Sequence, residues 1–241
     1  MNISLWQVVI LAAVQGLTEL LPVSSSAHVV VAEKLMGVDP STPEMTLLLV
    51  MLHTGTMFAV IVYFWRKWRA AYFQSLARFG RFAMLVLLAS AITGVEGEAL
   101  IKVLERVAFP LQSHGEVEQL FGHLELIAPA LAVVGVLILM AGILKRGTAN
   151  GNTGSEEMGP GQAGLIGAVQ GLCLPFRGFS RSGATISTGM LAGVSRVSAE
   201  NFSFALAVVL TPAAVAREAF RLIKAEQIST SAGLASATCR V

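Results

Sequence analysis

The chain has 241 residues, of which 54% are apolar and only 13% charged, with a net charge of +2. A water-soluble domain carries about 25% charged residues, so a folded chain this poor in charge cannot cover its surface with polar groups, and lipid is the expected solvent. The charges sit in short connecting stretches, which excludes the clustered basic face of a nucleic-acid-binding protein. The two cysteines, Cys173 and Cys239, match neither a disulfide framework nor a zinc spacing.

A helix crosses a bilayer with about 20 mostly apolar residues. The first apolar run, residues 3–21, has no basic stretch ahead of it and no small-residue cleavage site, so it reads as mature protein. It ends at Pro22, meets Val-Ser-Ser-Ser, and resumes as a shorter apolar stretch over 28–36. A short helix, a break and a second short helix predict a re-entrant hairpin over 3–37. Residues 45–65 are long enough to span, with His53 as their one ionisable group; a lone histidine on an apolar helix is read as a satisfied core residue. Residues 82–95 span if 76–81 snorkel at their end. The stretch 96–125, with Glu96, Glu98, Glu105, Glu116, Glu118 and Glu125, reads as an external connection, and 126–144 span.

A second hairpin is predicted over 162–194: an apolar run at 163–175, a break at Phe-Arg-Gly-Phe-Ser-Arg-Ser-Gly, and a return at 184–194. The last span is 202–216, extended by 199–202 and 217–223. Non-helical backbone at membrane depth is tolerated only where protein or water covers it, so both breaks should line a cavity.

The two hairpins resemble each other. AVQGL occurs at 13–17 and again at 168–172. A proline follows in each, then Ser24-Ser25-Ser26-Ala27 in one and Ser180-Arg181-Ser182-Gly183 in the other. Three spans between the copies invert the second. The expected fold is therefore an all-α polytopic membrane protein, one membrane domain over 1–241, whose two broken hairpins meet near the midplane. Residues 1–145 form the first repeat, a hairpin plus three spans. Residues 160–225 form an incomplete second repeat, a hairpin plus one span. Arg66, Lys67, Arg69, Arg78, Arg81, Lys145 and Arg146 fall on one side, which the positive-inside rule makes cytoplasmic. Arg217, Arg221 and Lys224 stand against that rule.

Gln15 and Glu19 are four residues apart and share a helix face. Glu19 is an acid deep in an apolar run, and an ionisable residue inside a membrane marks function by default. Ser24, Ser25 and Ser26 precede a helix, which is capping chemistry, but capping does not need three hydroxyls with His28 a turn further on. In the second break, Ser180, Arg181, Ser182 and Thr185 surround Gly178 and Gly183 at a helix start. Helix N-termini bind phosphate, Arg adds a bidentate fork, and Gly183 lets a ligand reach the backbone. A cavity with one acid, one imidazole, guanidinium groups and hydroxyls suits a phosphorylated ligand and phosphoryl transfer.

The stretches QGLTELLPVSSSAH and GFSRSGATISTGMLAGVS resemble the two signature motifs of the bacterial undecaprenyl-diphosphate phosphatase family, the bacitracin-resistance membrane proteins. The likeness runs from about residue 5 to about 225. It implies hydrolysis of undecaprenyl diphosphate to the monophosphate at the outer face of the plasma (inner) membrane, which recycles the lipid carrier for cell-wall synthesis. It also implies a divalent cation, Mg2+ or Ca2+, with Glu19 and Gln15 as its protein ligands. The residues matched to catalysis are Glu19, Ser25, His28 and Arg181; those matched to phosphate are Ser24, Ser26, Ser180, Ser182, Gly183 and Thr185. The implied partners are a polyprenyl diphosphate and the bilayer, with a homodimer left open.

Four departures from the family pattern stand out. Gln15 stands where many members have Glu, which removes a charge that a metal could use. Ala27 replaces a glycine and is expected to tighten the turn before His28. The second break carries two more residues and Arg177. The chain also ends at TSAGLASATCRV, which is not apolar enough to span, where the family continues for about two more spans.

Two mechanisms stay open. Ser25 attacks phosphorus with Glu19 or His28 as base, or Glu19 holds a metal whose water attacks, with His28 as acid. A polyprenyl-phosphate flippase of the same architecture is the competing function. Another lipid-phosphatase type, which needs a histidine after its second-motif arginine, is excluded because no histidine follows Arg181.

Overall fold

The computed structural model describes residues 3–19, 21–108, 124–146, 155–176 and 178–238, apart from the side chains of 108, 145, 146 and 221–238. The described residues form α1 (Leu5–Glu19), α2 (Ser25–Leu35), α3 (Pro43–Tyr72), α4 (Leu76–Ala108), α5 (Leu124–Arg146), α6 (Pro160–Cys173), α7 (Arg181–Leu191) and α8 (Arg196–Thr238). Four of them, α3, α4, α5 and α8, are long and apolar enough to cross a membrane. The outward faces of these helices are apolar, with Leu76, Val62 and Leu139 all mostly exposed, as expected where lipid replaces water.

Local chemistry sets the helix starts. Thr42 accepts from the Met45 N–H at 3.4 Å, with Pro43 in the first helical position. Ser75, Ser180 and Ser195 do the same for α4, α7 and α8, each at 3.2 Å.

Two helix pairs stand where the hairpins were expected: α1 with α2, and α6 with α7. Their shorter arms, α2 and α7, have 11 residues each, roughly 16 Å at 1.5 Å per residue and about half the hydrocarbon thickness. Each hairpin is tied at its open end in the same way. Gln7 donates to the Met36 carbonyl at 3.4 Å, and Gln162 donates to the Ala192 carbonyl at 2.9 Å. Each return helix then ends on a glycine of positive φ, 71° at Gly37 and 88° at Gly193. The next N–H reaches back five residues in both, Val38 to Glu33 and Val194 to Gly189.

The main core lies where α3, α4 and α8 meet α6. Phe64 and Trp68 pack with Leu85, Ala89, Phe202 and Leu206 over Ala163 and Ile166. Gly167 lies so close to the Ala89 backbone that a Cβ would clash with it. Any larger residue there would push α6 off α4.

Two expectations are corrected. The span expected at 82–95 is part of a 33-residue helix, and Glu96, Glu98 and Glu105 lie on that helix, not in a connection. A helix can leave the bilayer without unwinding when its last turns are charged. Ala27 lies inside α2, buried against Val30 and Ile127, so it packs a helix and tightens no turn. Arg217 pairs with Glu98 at 3.6 Å, so the positive charge that offended the positive-inside rule lies beside the acidic end of α4. Glu116, Glu118 and Arg177 lie outside the described residues.

Candidate active site between the two helix breaks

α1 ends at Glu19 because Pro22 cannot continue the helix and Ser24 turns the chain. Ser24 is buried, with φ of 63°, the one non-glycine residue of positive φ among the described residues. That conformation costs about 1–3 kcal/mol and persists where surrounding structure imposes it. It aims Ser25, the first residue of α2, back at the end of α1. Ser25 Oγ donates to Glu19 Oε2 at 2.6 Å, and Gln15 Nε2 donates to the same oxygen at 2.7 Å.

The other oxygen faces the second break. Arg181 Nη2 donates to Glu19 Oε1 at 3.2 Å, a contact between residues 162 apart in sequence. The Glu19 side chain is 10% exposed and that of Arg181 25%, so the pair is shielded yet reachable. Arg181 is in turn held by α8: its Nη1 donates to the Ser203 carbonyl at 3.4 Å. Thr185 donates to the Arg181 carbonyl at 2.8 Å and accepts from the Ser203 hydroxyl at 2.6 Å. Ser180 caps the same helix end, and the Pro22 carbonyl lies 3.1 Å from where a Gly183 Cβ would stand. The two breaks are therefore in contact, and glycine is what lets them approach.

Of the residues expected at the site, Glu19, Ser25, Gln15 and Arg181 lie together, and the two histidines are placed differently from expectation. His28 is exposed, and its Nδ1 lies 2.8 Å from the Ser24 carbonyl; it makes no bond to Glu19 or Arg181. His53, expected to be a core residue, places Nε2 3.7 Å from Glu19 Oε2, with Nδ1 2.8 Å from the Leu49 carbonyl. The Nδ1 contact orients the ring. His53 is ten residues into the 30-residue α3, about 15 Å along it, which puts the acid about a third of the way along a helix long enough to span. The signal for His53 was in the sequence, as the one ionisable group of an apolar span. Ser203 carried none.

The remaining candidates are less central. Ser24 and Ser26 lie near each other, Oγ to Oγ 3.4 Å. Ser182 is buried one residue past Arg181 and makes no bond to the acid.

The residues meet part of what a divalent cation needs. No group of three His, Cys, Asp or Glu side chains is found among the described residues. A hard cation bound to a phosphorylated substrate, however, is often held by one or two carboxylates plus phosphate oxygens. Glu19 is one such carboxylate, and Gln15 Oε1 is buried with no hydrogen-bond partner, which leaves an oxygen donor beside it.

Four apolar helices and an acid–guanidinium pair held between two helix breaks define a multi-pass membrane protein with a shielded charged cluster. Residues 8–240 match the family described as Bacitracin resistance protein BacA. The chain is 57% identical over 228 residues to undecaprenyl-diphosphatase 2 of Acinetobacter baylyi, covering 95% of this chain and 78% of that protein. The chain belongs to the BacA family.

Proposed function

We propose that the protein hydrolyses undecaprenyl diphosphate to undecaprenyl phosphate and phosphate in the plasma membrane. The observation that carries this reading is the bonded chain Ser25–Glu19–Arg181, which sets a hydroxyl, a base and a phosphate fork in one place. The name of the Acinetobacter relative supports the substrate.

The geometry favours Ser25 as nucleophile. Its hydroxyl already donates to Glu19, so the carboxylate takes that proton as Oγ bonds to the terminal phosphorus. The bond from phosphorus to the bridging oxygen breaks, and undecaprenyl phosphate leaves. Water then cleaves the phosphoserine, with Glu19 returning a proton to Oγ. Arg181 has donors to spare and neutralises the charge that develops on the phosphoryl oxygens. His53, against the same carboxylate oxygen as Ser25, relays protons in the role first expected of His28. Glu19, Gln15 and the diphosphate would hold the divalent cation, which supplies further charge neutralisation when bound.

The two hairpins read as inverted repeats entering from opposite faces, with 1–145 and 160–225 as the repeat units. The open end of the first lies by the start of α3 and that of the second by the start of α4, which supports this. Phosphate release by the purified protein in detergent tests the function, because transport needs two compartments and hydrolysis does not. No release from protein that binds the diphosphate would leave the flippase reading in place.

A further inference from the structure

Far from the Glu19 cluster, where α3 turns into α4, the structure has a cavity of about 500 Å³. Tyr72, Arg78, Arg81, Glu157, Ser198 and Asn201 are among its lining residues. Its charge is mixed. Arg78 and Arg81 supply cations, and Glu156 and Glu157 supply anions. Arg81 Nη1 is 3.0 Å from Glu157, while Arg78 is exposed and bonded only to the neutral Gln74 at 3.2 Å. Asn201 is 6% exposed, and its Oδ1 has no hydrogen-bond partner. A buried acceptor left unpaired carries its full desolvation penalty, and a turn of the Asn201 amide would bring that oxygen to the cavity, where a bound donor would satisfy it.

Nearby aromatic residues argue that the cavity sits at the level of the membrane surface. Trp65, Phe73 and Phe79 form an exposed aromatic run beside it, with ring centroids 5.8 and 4.9 Å apart, and such rings settle at the headgroup level. A simple anion would meet the two glutamates, and a simple cation the two arginines. A ligand with both charges a few bonds apart satisfies the whole lining.

We propose that this cavity binds the headgroup of a zwitterionic phospholipid bearing a primary ammonium, with its phosphate on Arg78 and Arg81 and its ammonium N–H groups on Asn201 Oδ1 and the glutamates. A quaternary ammonium has no N–H to offer, and a glycerol headgroup has no positive charge. Phosphatidylethanolamine therefore fits where phosphatidylcholine and phosphatidylglycerol do not.

The full chain, taken from vesicles of equal parts of the three lipids and weighed by native mass spectrometry, should retain phosphatidylethanolamine about tenfold over the others, the effect of one charge-assisted contact. Asn201→Leu and Arg78→Ala should each lower that retention about tenfold. Asn201→Asp, which keeps the shape and an acceptor, should hold it, and this separates a lost contact from a lost fold. Detergent hydrolysis should be unchanged in Arg78→Ala, so the outcome is independent of the catalytic reading. Equal retention of the three lipids, or wild-type retention in both Asn201→Leu and Arg78→Ala, would overturn the proposal. So would saturable binding of free phosphoethanolamine with no lipid retained.

Discussion

In the first hairpin, Gln15 donates to Glu19; in the second, its counterpart Gln170 donates to the Thr93 hydroxyl on α4 at 3.2 Å. Both glutamines are fully buried. Four residues on, the first hairpin has Glu19 and the second has Leu174, which packs on Gly97. At the breaks the contrast reverses. The first turns through a strained Ser24 and presents Ser25, whereas the second uses an ordinary serine cap and presents Arg181. A shared backbone thus carries an acid and a hydroxyl on one side and a cation on the other. One hairpin could not supply both without pairing them within its own break.

If the acid's half is the reactive one, Glu19→Gln is the largest blow. It should lower kcat by about 10²–10⁴-fold, the usual worth of a general base, in protein that still melts cooperatively. Phosphate release reads it, and substantial residual turnover would make the acid structural. Arg181→Lys attacks the other half. The charge stays and the fork goes, so phosphate release should fall by roughly 10²-fold, in line with the loss of one transition-state donor. Unchanged kinetics would remove Arg181 from the site.

A third pair of variants tests why only one hairpin carries an acid. Gln15→Glu should fold and turn over when a divalent cation is supplied. Gln170→Glu has the same chemistry but faces only Thr93, and should cost about 3 kcal/mol as a charge within a membrane helix. Thermal inactivation of the two proteins compares them directly; equal stability would show that the second hairpin also tolerates charge. The smallest effect is expected from the histidines. His53→Gln should slow turnover about tenfold, while His28→Gln should leave it unchanged. The reverse order would restore His28 to the proton path.

The hairpins were legible because each breaks a run of apolar residues at a proline, and a repeated AVQGL aligns them. Glu19 and Arg181 stood out because charge is rare in such runs. Their contact was reached only through the inferred inversion, and the partners of each were hidden. His53 meets Glu19 through the rotation of α3, which an apolar pattern around the whole helix does not record. Ser203 holds Arg181 through a backbone carbonyl, which any residue could offer. The length of α4 was missed for the opposite reason: three glutamates resembled a loop, although they prolong a helix beyond the membrane.

The 162-residue separation of Glu19 and Arg181 has a consequence for biogenesis. At typical translation speeds the ribosome needs roughly 10–30 s to travel from one codon to the other. Throughout that interval the nascent first hairpin carries its acid without its guanidinium, supported only by Gln15, Ser25 and, once α3 has emerged, His53. The membrane insertion machinery must therefore shelter a provisional, uncompensated carboxylate. The finished cluster has to wait until the second hairpin has been made.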